Sequence, residues 1–384
     1  MTWVGWLAGQ AAARDAAGLT RTLRPRASDD PVIDLAGNDY LGFALHPEVR
    51  AAAAGAAQEW GGGAGASRLV TGTLALHADL EAALARLMRQ PAALVFSTGY
   101  HANLGLVTAL ADRDARIISD AHVHASLIDA ARLSRATVEV VPHNDVEAVV
   151  ARLAAPAPRP PGTSRETPGP RTLVLVESIY SVLGDAAPLR LLAAACAEHD
   201  ALLVVDEAHG LGVHGAGLVA SEGLAGLPHV VVTATLSKAL GSQGGAVLGS
   251  RALIEHLVNR ARPFIFDTGL APAAAAAALA ATHLIEARPE LPGLIRRRVE
   301  ELAALLGVPA PDGAVLSVPM PSPRAAVEAA AAGAAQGVRV GCFRPPSVPD
   351  GISRLRITVG AGVPEEEWAR ATQVLLAVIK EAIG

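Results

Sequence analysis

Between Ala93 and about Ser250, the sequence alternates short apolar runs with segments of helical periodicity. The apolar runs, among them LVLV and LLVV, are continuous and rich in β-branched residues, which predicts strands buried on both faces. Buried strands separated by helices form a mostly parallel sheet covered by helices. In sheets of this kind, ligands bind beyond the carboxyl ends of the strands. The pattern therefore predicts an α/β fold with its site at one edge of the sheet.

The pattern changes beyond Pro272, where Ala-rich helices predicted at 272–287, 294–306 and 323–335 alternate with three short strands. This predicts a smaller α+β domain of about 110 residues. We divide the chain into an N-terminal arm at 1–44, a large domain at 45–270 and the small domain at 271–384. The Pro-rich segment at 155–171 is predicted to be an exposed loop.

Composition excludes several classes of function. Half of the residues are hydrophobic, yet no apolar run is long enough to cross a bilayer. A net charge of -5 with scattered arginines offers no basic stripe for nucleic acid. The two cysteines lie far apart, and the start of the chain lacks the pattern of a secretory signal. We expect a cytoplasmic protein whose partners are small molecules.

Lysine usage is unusual, because only Lys238 and Lys380 occur among 32 basic residues. Arginine supplies positive charge elsewhere, but it cannot act as a neutral amine or form an imine. Lys380 belongs to the last amphipathic helix and is predicted to face solvent. Lys238 follows an apolar strand in the context TLSK, so we interpret it as a chemically required amine.

Three other sequence patterns do not support the function that each first suggests. DEAH at 206–209 resembles a helicase element, but the chain has no P-loop to hold phosphates. GLGVHG at 210–215 satisfies a dinucleotide fingerprint, although it neither follows its strand directly nor opens a helical run. The histidines and cysteines lack the spacing of a metal site, so we predict none.

One combination of residues fits an electron-sink cofactor, which needs a carboxylate for its ring nitrogen, an amine and phosphate donors. Asp206 follows a strand, and Lys238 follows another about thirty residues later. Phosphate donors are available from Thr235, Ser237 and the backbone at Gly99, where a strand turns into a helix. A helix N-terminus favours a phosphate through its free N–H groups and its dipole.

The chain resembles the α-oxoamine synthases of fold type I over essentially its whole length. Ten ordered motifs carry the resemblance: GNDYLG at 37–42, GASRLVTG at 65–72, STGYHAN at 97–103, HVHASL at 122–127, ESIYSVLGD at 177–185, VVDEAHGLGV at 204–213, TLSKALGSQGG at 235–245, FDTGLAP at 266–272, RPPSVP at 344–349 and SRLRIT at 353–358.

The resemblance implies pyridoxal 5'-phosphate as cofactor and a fold type I transferase architecture. It implies that Lys238 binds the cofactor as a Schiff base and acts as general base, that Asp206 pairs with the pyridine nitrogen and that His124 stacks on the ring. The other implied cofactor contacts are Ser181 and His209 to the phenolic oxygen, Gly99, Tyr100 and Thr235 to the phosphate, and Thr268 from a neighbouring subunit. A homodimer with shared active sites follows from the last of these.

For the substrates, the resemblance places the amino-acid carboxylate at Asn38 and Arg356. The RPPSVP motif, with Arg344, favours the family members that condense L-alanine with a pimeloyl thioester, on coenzyme A or acyl carrier protein, in biotin biosynthesis. Arg21 is the implied contact for the far carboxylate, although Thr20 stands where a second arginine is usual. Relatives that use glycine or another acyl thioester, and a non-catalytic cofactor-binding module, stay open as alternatives.

Overall fold

The computed structural model describes residues 2–17, 19–21, 23, 25–156, 171–345, 348 and 350–383. Most of the predicted Pro-rich loop and three residues of the RPPSVP motif lie outside these residues. The chain forms two compact units, residues 1–32 and 33–384. The first contains the helix α1 (Trp3–Ala16), which begins after Thr2, whose hydroxyl accepts a hydrogen bond from the Gly5 amide.

The second unit contains two β-sheets. Its strands are β1 (Ile33–Leu35), β2 (Ala92–Phe96), β3 (Ala115–Asp120), β4 (Thr137–Val141), β5 (Arg171–Glu177), β6 (Ala201–Asp206), β7 (Val230–Thr235), β8 (Gly245–Gly249), β9 (Val315–Pro319), β10 (Val338–Phe343) and β11 (Arg354–Thr358). The large sheet has seven strands among the described residues, in the order β2-β8-β7-β6-β5-β3-β4. The small sheet has the order β1-β10-β11-β9.

The large sheet confirms the predicted α/β fold. Strands β4, β3, β5, β6 and β7 run parallel, and β8 pairs antiparallel with both β7 and β2. Its central strands β6 and β7 are buried along almost their whole length, as continuous apolar runs predict. Because these two strands are parallel neighbours, their carboxyl ends bring Asp206 and Thr235 to the same edge of the sheet.

Helices cover the sheets: α2 (Pro47–Trp60), α3 (Ala75–Leu87), α4 (Gly99–Leu110), α5 (Ala125–Ser134), α6 (Val146–Ala154), α7 (Leu189–Glu198), α8 (Leu218–Ser221), α9 (Arg251–Arg260), α10 (Arg262–Ile265), α11 (Pro272–Ala287), α12 (Leu291–Leu306), α13 (Pro323–Ala335) and α14 (Glu365–Ile383). Helix α14 carries Lys380 on its exposed side. Among the described residues, no helix has the length and apolar character required to span a bilayer.

The small sheet is built mainly from the C-terminal part of the chain, as the sequence predicts for β9, β10 and β11. It gains a fourth strand from β1, which pairs parallel with β10 through Ile33 and Val338. A run of three residues is too short to show the alternation that marks a strand. The division between 45–270 and 271–384 stays a prediction.

Candidate active site

A cavity of about 210 Å³ lies at the carboxyl edge of the large sheet. Strands β5, β6 and β7 each end at it, with Glu177, Asp206 and Thr235 respectively. Its complete lining is Thr98, Gly99, Tyr100, Asn103, His124, Ser126, Glu177, Asp206, Ala208, His209, Thr233, Ala234, Thr235, Ser237 and Lys238. Eight of the residues that the sequence singled out therefore meet in one place.

The N-terminus of α4 forms one side of the cavity. The helix begins at Gly99 after Thr98, whose hydroxyl accepts a hydrogen bond of 3.0 Å from the His101 amide. A Cβ atom at Gly99 would lie 3.1 Å from Thr235 Cβ, so a side chain there would press against the strand. Glycine instead keeps the backbone N–H groups of the first turn close to the Thr235 and Ser237 hydroxyls, which are 2.7 Å apart. This is an arrangement suited to an anion.

The opposite side of the cavity carries a fixed carboxylate. Asp206 is buried and accepts hydrogen bonds from Asn103 Nδ2 at 2.7 Å and from the Ala208 amide at 2.9 Å. Asn103 Nδ2 also donates to Ser126 Oγ at 2.9 Å, and Ser126 Oγ lies 2.8 Å from His124 Nδ1. The network therefore fixes both the carboxylate and the imidazole.

His124 stands at the N-cap of α5, where its Nδ1 accepts from the Ser126 amide at 3.2 Å. Burial lowers the pKa of His124, although the Asp206 carboxylate opposes this effect. A neutral imidazole with Nδ1 acting as acceptor carries its proton on Nε2. His124 is therefore a flat, uncharged ring at the wall of the cavity.

Lys238 and His209 form the reactive part of the site. Lys238 Nζ lies 2.8 Å from His209 Nε2. Burial lowers the pKa of Lys238 to about 8, against the opposing effects of Asp206 and Glu177. Burial and the adjacent Lys238 lower the pKa of His209 well below 6.5. At a pKa of about 8, roughly a tenth of the amine is unprotonated at pH 7, a share far larger than that of an ordinary lysine.

Glu177 is a second buried carboxyl group at the cavity. Burial raises its pKa well above 4.5, and the nearby Asp206 carboxylate adds to the rise. Its Oε1 atom has no hydrogen-bond partner among the described residues. Burial and the Asp206 charge therefore favour the neutral form of Glu177, against the backbone hydrogen bonds from His124 and Ser181 that lower its pKa. The negative charge at this end of the cavity then belongs to Asp206.

Arg356 connects the small sheet to this region. The side chain leaves β11, and its Nε donates to the Ser181 carbonyl at 2.8 Å while Nη2 donates to Asn38 Oδ1 at 3.0 Å. Arg356 is 4% exposed, and its guanidinium also lies over the Phe343 ring. Arg356 and Asn38, which the resemblance places at the substrate carboxylate, are thus hydrogen-bonded to each other, and their contact with a substrate stays a prediction.

Besides Arg356 and Asn38, four predicted site residues lie outside the cavity lining. Ser181 contributes its backbone carbonyl to Arg356, and its side chain is not part of the lining. Thr268 is exposed and pairs with Ser67 through an isolated bridge. Arg344 is exposed just after β10, and Arg21 is exposed within residues 1–32.

Sequence reasoning assigned no role to Tyr40, Asn103 and Ser126. Tyr40 is completely buried, and its hydroxyl lies 2.5 Å from His209 Nδ1. All three stand inside motifs quoted above, so the signal was present as position within GNDYLG, STGYHAN and HVHASL. The sequences of these motifs do not show which side chains belong to the same hydrogen-bond network.

A second histidine cluster lies outside the cavity lining. His143 Nδ1 lies 3.0 Å from Asp120 Oδ1, and Nε2 lies 2.8 Å from Asp185 Oδ2. The His122 ring stacks on His143 at a centroid distance of 3.9 Å. Burial favours the neutral form of His143, but the two carboxylates outweigh it and raise the pKa to about 9. Within the described residues, no group of side chains has the arrangement of a metal site.

Comparison with known proteins agrees with this geometry. The family model for class I and II aminotransferases matches residues 30–375. The chain is 52% identical to the 8-amino-7-oxononanoate synthase of Mycolicibacterium smegmatis, over 99% of this chain and 97% of that protein. It is 51% identical to the enzyme of the same name from Mycobacterium ulcerans, over 98% and 95% of the two chains.

Solved structures share the fold. A structure of serine palmitoyltransferase from Sphingomonas wittichii is 28% identical with a TM-score of 0.87, and the match covers 100% of this chain and 99% of that one. The 8-amino-7-oxononanoate synthase of Francisella tularensis gives a TM-score of 0.74 at 23% identity, over 92% and 99% of the two chains, which shows the fold alone. By family model and by sequence identity over nearly its full length, the chain belongs to the 8-amino-7-oxononanoate synthases within the class I and II aminotransferase family.

Proposed function

We propose that this protein is a pyridoxal-phosphate-dependent acyltransferase that condenses L-alanine with a pimeloyl thioester, giving 8-amino-7-oxononanoate, carbon dioxide and the free thiol in biotin biosynthesis. The observation that carries the proposal is Lys238 Nζ, an amine of lowered pKa in the same cavity as Asp206. Relatives at 52% and 51% identity bear the name of this activity.

The cavity fits pyridoxal phosphate in the chemistry of its lining. Gly99 with the first turn of α4, together with the hydroxyls of Thr235 and Ser237, would hold the phosphate. Asp206 would hold the ring nitrogen, because two fixed donors orient its carboxylate while other lone pairs stay available. His124 would lie against the ring, and His209 would face the phenolic oxygen. When bound, the group supplies an electron sink for the substrate α-carbon.

The chain's own residues then divide the work. Arg356 and Asn38 would hold the carboxylate of L-alanine, and a guanidinium suits this role because it can donate two parallel hydrogen bonds. Lys238 Nζ would remove the α-proton, since its pKa of about 8 leaves a far larger share of the amine unprotonated near neutral pH than an ordinary lysine has. Asp206 would keep the opposite end of the cavity negative throughout.

For the acyl donor, we propose contacts from Arg21 and Arg344. Both are exposed arginines, as recognition of a terminal carboxylate or a carrier requires. We further propose a homodimer in which Thr268 of one subunit reaches the phosphate bound by the other. Its exposure and its position away from the cavity of its own subunit support this arrangement. Sedimentation of the wild-type protein at micromolar concentration tests for the dimer. A monomer would contradict this arrangement.

The function is tested by thiol release from pimeloyl-CoA and from pimeloyl acyl carrier protein, with pyridoxal phosphate present and L-alanine or glycine offered in parallel. We expect turnover that depends on L-alanine and a product of the mass of 8-amino-7-oxononanoate. Release with glycine alone would move the enzyme to a sibling activity. The absence of release with either amino acid and either carrier would contradict the proposal.

A further inference from the structure

Tyr40 is a fully buried polar residue that contacts His209, the neighbour of Lys238. Its side chain is 0% exposed, and its Oη lies 2.5 Å from His209 Nδ1 and 3.3 Å from Asn38 Oδ1. His209 thus has one ring nitrogen against a hydroxyl and the other, Nε2, 2.8 Å from Lys238 Nζ. Because His209 is itself only 5% exposed, burial holds these two contacts in place.

The geometry indicates which of the two groups donates. A separation of 2.5 Å lies in the range of O–H donors and below the usual range for N–H donors. Burial raises the pKa of Tyr40 to about 12, against the lowering effect of the nearby Arg356 guanidinium, so the hydroxyl keeps its proton. The hydroxyl proton then points at His209 Nδ1. Asn38 Oδ1, at 3.3 Å, is meanwhile bound by Arg356 Nη2 at 3.0 Å.

A neutral imidazole that accepts at Nδ1 must carry its proton on Nε2. We propose that Tyr40 is a positioning residue that holds His209 in the Nε2–H tautomer when the Lys238 amine is unprotonated, and so directs an N–H donor at that amine and into the cavity. This inference rests on the proposed function, in which His209 faces the phenolic oxygen of the cofactor. Buried donors of fixed direction are effective because they need no reorientation during the reaction.

The same hydroxyl also links two ends of the site. Asn38 and Arg356, the proposed carboxylate contacts, meet Tyr40 on one side, and His209 with Lys238 meets it on the other. Any change at Tyr40 therefore reaches the base and the carboxylate site through hydrogen bonds, without displacing either residue. Tyr40 touches none of the reacting atoms, which makes it a positioning residue rather than a catalytic one.

The first test is ¹⁵N NMR of the protein labelled at histidine, without added cofactor, at a pH above the pKa of about 8 of Lys238, where His209 and the amine are both neutral. The His209 resonances are assigned as those that disappear in His209→Gln. We expect a protonated Nε2 and an unprotonated, hydrogen-bonded Nδ1 in wild type. In Tyr40→Phe, the Nδ1 resonance should move toward that of an imine nitrogen without a hydrogen bond. A protonated Nδ1 in wild type, or an Nδ1 resonance unchanged by Tyr40→Phe, would overturn the proposal.

Tyr180→Phe is the matched control, because Tyr180 is also buried and does not contact His209. It should leave the His209 resonances in place, whereas the same shift in both variants would show a general loss of packing and sink the inference. In the thiol-release assay, we expect Tyr40→Phe to lower kcat about tenfold, as loss of one buried hydrogen bond predicts. If wild type released no thiol, the proposed function would fail, and the NMR result would still decide the role of Tyr40.

Discussion

Two histidines of this protein each have a polar side chain at both ring nitrogens and yet end in opposite charge states. His209 lies between the Tyr40 hydroxyl and the Lys238 amine, which we call the cavity network, and burial lowers its pKa well below 6.5. His143 lies between the carboxylates of Asp120 and Asp185, the carboxylate cluster, and its pKa rises to about 9. Burial opposes the charged form in both, so the partners decide the outcome.

The difference matches what each network can do. The cavity network keeps the imidazole uncharged and lowers the pKa of the amine toward neutrality, which suits proton transfer. The carboxylate cluster keeps a fixed ion, and it joins the end of β3 to the loop that contains Asp185 and Ser181. The Ser181 carbonyl in turn accepts from Arg356. The cavity network takes part in the proposed reaction. The carboxylate cluster holds the loop whose Ser181 carbonyl binds Arg356.

The largest effect should come from removing the amine. Lys238→Ala should lower thiol release by at least about 1,000-fold, because no other side chain in the lining is an amine. Thermal unfolding should stay cooperative, since a buried amine of lowered pKa contributes little to stability. Lys380→Ala, the change at the chain's other lysine, should leave the rate unaltered. Turnover near the wild-type rate in Lys238→Ala would contradict the assignment of proton transfer to the cavity network.

The pH dependence of stability tests the carboxylate cluster. Because the folded pKa of His143 is about 9 and the ordinary value is 6.5, its stabilisation is complete below pH 6.5 and is lost as the pH rises toward 9. The loss should be roughly 3 kcal/mol, at 1.36 kcal/mol for each pKa unit. Urea unfolding of wild type and His143→Gln at pH 6 and pH 9 measures it. Equal pH dependence in both proteins would argue against a charged His143.

The carboxylate site can be tested without touching the amine. Arg356→Lys should raise the KM for L-alanine roughly 10–100-fold with a smaller change in kcat, because an ammonium cannot replace the forked guanidinium. Arg354→Lys on the same strand is the control, since Arg354 pairs with Asp350 at 2.7 Å and not with Asn38 or the Ser181 carbonyl. An unchanged KM in Arg356→Lys would place the carboxylate elsewhere.

The smallest effect is expected at one edge of the cluster. Asp185→Asn removes one of the two carboxylates of His143 and should lower the free energy of unfolding by about 1–2 kcal/mol at pH 7, because Asp120 remains. The NMR titration of His143 should move toward 6.5 at the same time. Glu328→Gln, at an exposed pair with Arg324, should change stability by less than about 0.5 kcal/mol. Equal losses in both variants would mean that the cluster acts as an ordinary surface pair.

The sequence predicts most of the large sheet, because buried parallel strands appear as continuous apolar runs between helical segments. It also brings Gly99, Asp206, Thr235 and Lys238 to one edge, since each follows a strand. The antiparallel direction of β8 cannot be inferred, because an apolar run has the same composition in either direction. The carboxylate cluster could not be predicted either, since Asp120, His143 and Asp185 meet only through the register of the folded chain.

Arg356 belongs to β11 of the small sheet, whereas Lys238 follows β7 of the large sheet. A bound amino acid whose carboxylate meets Arg356 and whose α-carbon meets Lys238 would therefore act as a cross-link between the sheets. Its free energy of binding would add to the resistance to unfolding, by about 2.7 kcal/mol at a concentration 100 times its Kd. A rise in the melting temperature would thus report binding of the amino acid to both sheets before any bond is made or broken.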